Sequence, residues 1–145
     1  MLKFTWVLID KISIGTAPIS KNDIYFLKKK GIKSILSLTA PSEVNLIKDI
    51  EKEFKHSRYI LPDHSSNRIA SKREINNALD ILKKILKFSP VFVHCVASVE
   101  RSPLIAMAWL IREENLSPDE SLRYLMQIHP GTNPLSEQLS ILDNI

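Results

Sequence analysis

The stretch Val91-Phe92-Val93-His94, set between Ser89-Pro90 and Cys95, decides most of what this chain can become. It shows no alternation of apolar and polar residues, so it reads as a strand buried on both faces, of the kind found in the middle of a parallel sheet covered by helices. A parallel neighbour needs a crossover, usually a helix, so strands and helices must alternate along the chain. The rest of the sequence alternates in that way.

Residues 4–14 (FTWVLIDKISI) are rich in β-branched and aromatic types and end at Gly15, which predicts one or two short strands and a turn. Ser20-Lys21-Asn22-Asp23 is a helix start, with Ile24, Leu27, Tyr25 and Phe26 expected on the inner face and Gly31 as the stop. KSILSL (33–38) follows as a buried strand, then a helix over about Ser42 to Phe54 and a short strand at Arg58 to Leu61. A long amphipathic helix from about Ser71 to Phe88 carries Ile75, Ala78, Leu79, Leu82, Ile85 and Leu86 at three- and four-residue steps, with its lysines outward. Beyond the 91–94 strand, an apolar helix runs from near Ser102 to about Asn115, with Met107, Trp109 and Leu110 expected in the core. Ser117, Pro118 and Glu120 mark the start of another, ending near His129. HPGTNP (129–134) is a loop, and SEQLSILDNI closes the chain as a helix. The expected fold class is α/β: one domain over residues 1–145, with a central, mostly parallel sheet of four to five strands flanked by helices.

Composition excludes several function classes. A chain of 145 residues can bury roughly two thirds of its unfolded surface without disulfides or metal. The net charge of +4 mildly favours anionic partners, but the lysines fall on candidate helix faces, so no nucleic-acid partner is expected. A single cysteine rules out an intrachain disulfide and a cysteine-rich zinc site, and His56 and His129 lack partners at ligand spacing, so neither metal nor other cofactor is expected. The apolar run FTWVLI is shorter than a signal-peptide core and no stretch is long enough to span a bilayer. A cytoplasmic protein with no membrane partner is the expectation.

Cys95 sits where the carboxyl end of a strand meets the amino end of a helix, the place where open α/β sheets bind ligands. The five residues between Cys95 and Arg101 suffice for a tight loop with converging N–H groups, and the helix starting at Arg101-Ser102 adds its own unsatisfied amides. Such a cradle suits a phosphate dianion, and the same field stabilises a thiolate, a nucleophile at neutral pH. Arg101 can grip phosphate oxygens two at a time as charge builds on them. Thiolate attack then needs a proton donor for the departing oxygen and a water to release the phosphate.

His94-Cys95-x5-Arg101-Ser102 resembles the HCx5R[ST] signature of the cysteine-based protein tyrosine phosphatases, and Leu61-Pro62-Asp63-His64 lies where small dual-specificity members carry their acid, 32 residues before the cysteine (95 − 63 = 32). GTAPISKNDIYFLKKKGIKSILSL and NPLSEQL are also similar to segments of those enzymes. The resemblance implies a dual-specificity phosphatase-like fold. Because Val96, Ala97, Val99 and Glu100 offer none of the extra basic or polar residues that serve phosphoinositides or RNA ends in related enzymes, a phosphorylated protein is the expected substrate, phosphotyrosine above all, with phosphoserine and phosphothreonine in a shallow pocket. It makes Cys95 the nucleophile, Asp63 the general acid and then base, Arg101 the phosphate clamp, Ser102 the hydroxyl easing thiolate departure and His94 a tuner of Cys95. The amides of Val96, Ala97, Ser98, Val99, Glu100 and Arg101 would complete the phosphate cradle, and His64 is a candidate for substrate contact.

Two positions depart from the family pattern. Ser98 stands where glycine is usual, and a positive φ there costs serine about a kcal/mol or more relative to glycine. Glu100 puts a carboxylate inside the loop. At about 8 Å from a phosphate it would repel by roughly 2 kcal/mol at an effective dielectric of 20, and about 0.5 if water screens the pair, so an outward-facing Glu100 and a weakened but working site are expected. A pseudophosphatase that binds phosphorylated partners is the alternative these departures motivate, against which stand Cys95, Arg101 and Asp63. An arsenate reductase would want extra resolving thiols, and a sulfur transferase has no use for Asp63.

Overall fold

The computed structural model describes residues 1–145. Its strands, in chain order, are β1 (Phe4–Leu8), β2 (Ile12–Gly15), β3 (Ser34–Ser37), β4 (Lys55–Arg58) and β5 (Val91–His94). Its helices are α1 (Lys21–Lys29), α2 (Ile50–Glu53), α3 (Lys72–Ile85), α4 (Arg101–Glu114), α5 (Pro118–Ile128) and α6 (Ser136–Leu142), with a 3-10 turn at Leu86–Phe88. The strands form one sheet in the order β1-β2-β5-β3-β4. β5 takes the centre, parallel to β2 and β3, and every one of its residues is buried. Only β1 runs antiparallel to its neighbour.

The pleat of β5 divides the interior. Val91 and Val93 join Ile12, Ile14 and Leu36 in the larger core, with Ile75, Leu79 and Leu82 of α3, Leu104 to Leu110 of α4, Leu125 of α5 and Leu142 of α6. Phe92 points the other way, into a smaller core with Leu27, Ile35, Ile50 and Phe54. Met107, Trp109 and Leu110 are buried as expected. Helices begin where serine caps stand: Ser20, Ser71 and Ser117 each accept from the backbone N–H three residues on, and Asp23, Glu74 and Glu120 reach back to complete capping boxes.

Three local expectations fail. The helix expected over about Ser42 to Phe54 contracts to α2, because the segment before it is held otherwise: the Glu43 carboxylate turns back to the Ala40 N–H, the Ile47 N–H donates across the fold to Pro18 O, and Asp49 turns left-handed at φ 62°. The fourth strand begins three residues earlier than Arg58; Lys-His-Ser-Arg is a polar edge strand, and the apolar Tyr59 to Leu61 that suggested a strand only continue its hydrogen bonds to Ser37 and Leu38. Tyr25 and Phe26 lie on the outer side of α1, 62% and 37% exposed, while Leu27 alone is fully buried.

Gly15 is required for close approach. A Cβ there would collide with the Lys3 carbonyl on the neighbouring segment and sit 2.7 Å from Phe92 Cε1. Overpacking of this kind costs about 1–3 kcal/mol, so Gly15→Ala should lower the urea midpoint by that equivalent without changing the slope of the transition. An unchanged midpoint would show that β1 and β2 can part without cost.

Candidate active site

The loop between β5 and α4 is held by its carbonyls. Cys95 O receives His94 Nδ1–H at 2.9 Å, Val96 O receives the Ala17 N–H at 3.3 Å, Ser98 O receives His129 Nε2–H at 2.8 Å and Val99 O receives the Asn133 N–H at 3.0 Å. Glu100 O is taken by the Leu104 N–H as α4 begins. In a trans peptide the carbonyl and the following N–H point in opposite directions. Tying these carbonyls to the body of the protein therefore turns the amides of Val96, Ala97, Val99, Glu100 and Arg101 the other way. Val96, Ala97, Val99, Glu100 and Arg101 line an open cavity of about 470 Å³ with Cys95, Asp63, His64 and Glu43. The first turn of α4 adds the positive end of a fourteen-residue helix. Cys95 is 3% exposed, at the cavity floor.

Ser98 has the positive φ, 56°, that its position invites. Its side chain offsets the strain: the fully buried hydroxyl lies 2.8 Å from Ser102 Oγ and 3.1 Å from His129 Nε2. Ser102 Oγ is in turn 3.4 Å from Cys95 Sγ. His129, for which the sequence offered no role, braces the loop from behind and reaches Thr5 Oγ1 on β1 at 2.6 Å. Burial first, then the charge of Lys3, keep its ring below the usual imidazole range, against the opposing pull of the Ser98 carbonyl.

His94 is buried and points away from the cavity. Its Nδ1–H is committed to a carbonyl, so Nε2 accepts, and the Ser37 hydroxyl at 2.6 Å donates to it. Ser37 Oγ accepts in turn from His56 Nε2 at 2.8 Å. Burial pushes His94 down to about 4 despite the carbonyl bond, helped by the charges of His56, Arg58 and Arg101.

The Arg101 guanidinium is 4% exposed. Nη1 donates to Leu38 O and Leu61 O at 3.3 and 3.1 Å, and Nη1 and Nη2 fork onto Glu43 at 3.1 and 2.8 Å. Its Nε–H and second Nη2–H have no protein acceptor, which leaves one bidentate edge for an oxyanion. Burial alone would lower the guanidinium; the hydrogen bonds to Glu43 and its charge outweigh that and raise it. Burial would raise Glu43, but the Arg101 and Ala40 bonds bring it below the usual carboxylate range. Glu43 was not legible in the sequence, because nothing in Pro41-Ser42-Glu43 distinguishes it from a solvated loop acid.

Asp63 shares the cavity, and its Oδ1 accepts from the Ser65 N–H at 3.0 Å, Ser65 Oγ at 2.7 Å and Ser66 Oγ at 3.0 Å. The Ser65 hydroxyl is the largest influence, and with Ser66, the Ser65 amide and Arg101 it holds the carboxyl below its ordinary value against slight burial. Glu100 corrects an expectation: its carboxylate does not face outward into water. The side chain is 13% exposed, accepting from Gln138 Nε2 of α6 at 3.0 Å, with the 73% exposed His64 Nδ1 at 3.3 Å. Gln138 fixes it in the cavity wall.

The sequence model of the family described as dual specificity phosphatase, catalytic domain, matches residues 14–144. A phosphatidylglycerophosphate phosphatase of Arabidopsis thaliana, PTPMT2, is 24% identical over 96% of this chain and 64% of its own length. Human dual specificity protein phosphatase 6 is 31% identical over 74% of this chain, which spans only 27% of that protein. The crystal structure of PTPMT1 in complex with PI(5)P superposes with a TM-score of 0.83 at 19% identity, covering 97% of this chain and 92% of that one.

The buried histidine gives a pH signature. Unfolded, His94 takes a proton near 6.5; folded, it resists until about 4. The unfolded state therefore binds the extra proton between these values, and stability must fall as pH drops from about 6.5 to about 4. In His94→Asn the fall of the urea midpoint across that window should be shallower, with His56 and His129, both lowered chiefly by burial, supplying what remains. Equal slopes in the two proteins would exclude a neutral, buried His94.

Proposed function

The chain belongs to the family of dual specificity phosphatase catalytic domains, and we propose that it is a cytoplasmic phosphomonoester hydrolase working through a cysteinyl-phosphate, with phosphotyrosine in a protein as its preferred substrate. The reading rests on one observation: the carbonyls of Cys95, Val96, Ser98, Val99 and Glu100, drawn outward, leave the amides that follow them aimed into a cavity that has sulfur at its floor and an unused guanidinium edge at its wall.

The phosphate oxygens sit among these amides and on the Nε/Nη2 edge of Arg101, whose donors tighten as charge develops. Cys95 Sγ attacks phosphorus, forming S–P while the P–O bond to the leaving group breaks, and Asp63 gives that oxygen its proton. Water then attacks phosphorus, Asp63 takes its proton, and the S–P bond breaks to return the thiolate and free phosphate. Ser102, 3.4 Å from Sγ, eases that departure. Glu43 holds the arginine in place between the Leu38 and Leu61 carbonyls.

A second reading, a phospholipid headgroup as substrate, is favoured by an apolar groove of about 660 Å³ that shares Val96 with the cradle and is lined by Leu2, Ile19, Phe26 and Val44. Relatives named for phosphatidylglycerophosphate point the same way. No helix is long and apolar enough to cross a membrane. Hydrolysis of phosphotyrosyl peptides against phosphatidylglycerophosphate in mixed micelles separates the two: a higher kcat/KM on the lipid would overturn the protein preference.

Turnover of an aryl phosphate should vanish in Cys95→Ser and fall about a hundredfold or more in Asp63→Asn. Wild type that binds phosphopeptide without turnover would make the chain a pseudophosphatase. Glu100→Gln should raise kcat/KM for dianionic substrates about twofold to tenfold, since a carboxylate in the wall opposes them. The serine bonds favour the charged form of Asp63, so Ser65→Ala with Ser66→Ala lets it keep its proton to higher pH. The alkaline limb of kcat/KM should then move upward; a limb that stays in place would assign the proton to another group.

A further inference from the structure

A directed chain of hydrogen bonds approaches Cys95 from behind the loop. The Ser98 carbonyl can only accept, so the proton on the His129 ring resides on Nε2, 2.8 Å away. With the ring neutral, Nδ1 then carries a lone pair and accepts from the Thr5 hydroxyl at 2.6 Å. The same Nε2–H faces Ser98 Oγ at 3.1 Å, which leaves the Ser98 proton for the only other hydroxyl in reach, Ser102 Oγ at 2.8 Å. Ser102 Oγ, already accepting, turns its own proton to Cys95 Sγ at 3.4 Å. Ser98 and Ser102 are wholly buried, as is His129, so no bulk water competes for these protons.

We propose that Ser98 and His129 are positioning residues that fix the rotor of Ser102, holding its proton on the cysteine sulfur before substrate arrives and again as phosphate leaves. A hydroxyl free to rotate spends part of its time aimed elsewhere. Ser98 prevents this by occupying the acceptor side of Ser102, and His129 sets the direction of the whole series through a carbonyl that cannot donate. The left-handed φ of Ser98, 56°, is what brings its hydroxyl and its carbonyl to the same imidazole nitrogen. The inference rests on the proposed role of Cys95 as a thiolate, but not on turnover.

The test is alkylation of Cys95 by iodoacetamide, which reads thiolate without needing phosphatase activity. Ser98→Gly removes the hydroxyl together with Cβ and leaves the left-handed backbone free of strain, and Ser98→Ala removes the hydroxyl while keeping Cβ. The groups around the sulfur, Arg101, Asp63, His64, Glu43, Glu100 and His94, are untouched by either change. Loss of one oriented hydrogen bond to sulfur should slow alkylation about threefold to tenfold at pH 6 and by less than about twofold at pH 9. In a Ser102→Ala background, where no proton remains to orient, Ser98→Gly should have no further effect. Folded variants that alkylate like wild type at pH 6, or an equal further loss in the Ser102→Ala background, would overturn the proposal. A wild type that alkylates as expected yet hydrolyses no aryl phosphate would leave the chain standing and sink the hydrolase reading instead.

Discussion

A trans peptide cannot send its carbonyl and its following amide the same way, and the site depends on that constraint. Five donors each take one carbonyl of the 95–100 loop: His94 and Leu104 from the flanking β5 and α4, and, from segments remote in sequence, Ala17 after β2 and His129 and Asn133 after α5. None of these groups faces the cavity, yet together they determine what the cavity presents. The amides are oriented before any anion arrives, so binding need not meet the cost of turning them.

The same economy governs the charges. Arg101 is buried, and a buried cation is tolerable only when its donors are satisfied. Glu43 and the two carbonyls satisfy one edge and leave the other free, so the residue that neutralises the arginine also aims it. The two departures from the family pattern are absorbed differently. Ser98 repays its strained backbone with two buried contacts, to Ser102 and His129. Glu100 is anchored by Gln138, so its charge stays in the wall instead of swinging across the mouth.

Much of this was legible in the sequence where the signal is local. Val91 to His94 reveals the central strand because a doubly covered strand has no polar face, and Ser71 with Glu74 or Ser117 with Glu120 mark helix starts through bonds made within one turn. Cys95 and Arg101 stand where a buried strand passes into a helix, Asp63 was named through the resemblance to the family, and the structure brings all three to one cavity. What stayed hidden is held by contacts distant in sequence. Glu43 matters only because it meets a residue 58 positions away, and His129 because it bridges residues 31 and 124 positions away. The helix expected from Ser42 failed for the same reason, since its first turns are drawn off by Pro18 and Arg101.

The bridge from Thr5 through His129 to Ser98 has a bearing on how such a sequence can drift. A hydroxyl at 98 is useful only with a histidine behind it, and that imidazole keeps its tautomer only with an acceptor carbonyl in front and a donor hydroxyl at its back. Positions 5, 98 and 129 are thus coupled physically across three segments distant in sequence. Glycine at 98 would take away the hydroxyl but keep the carbonyl that His129 holds, so drift at that position leaves the imidazole and its Thr5 partner still tied to the loop.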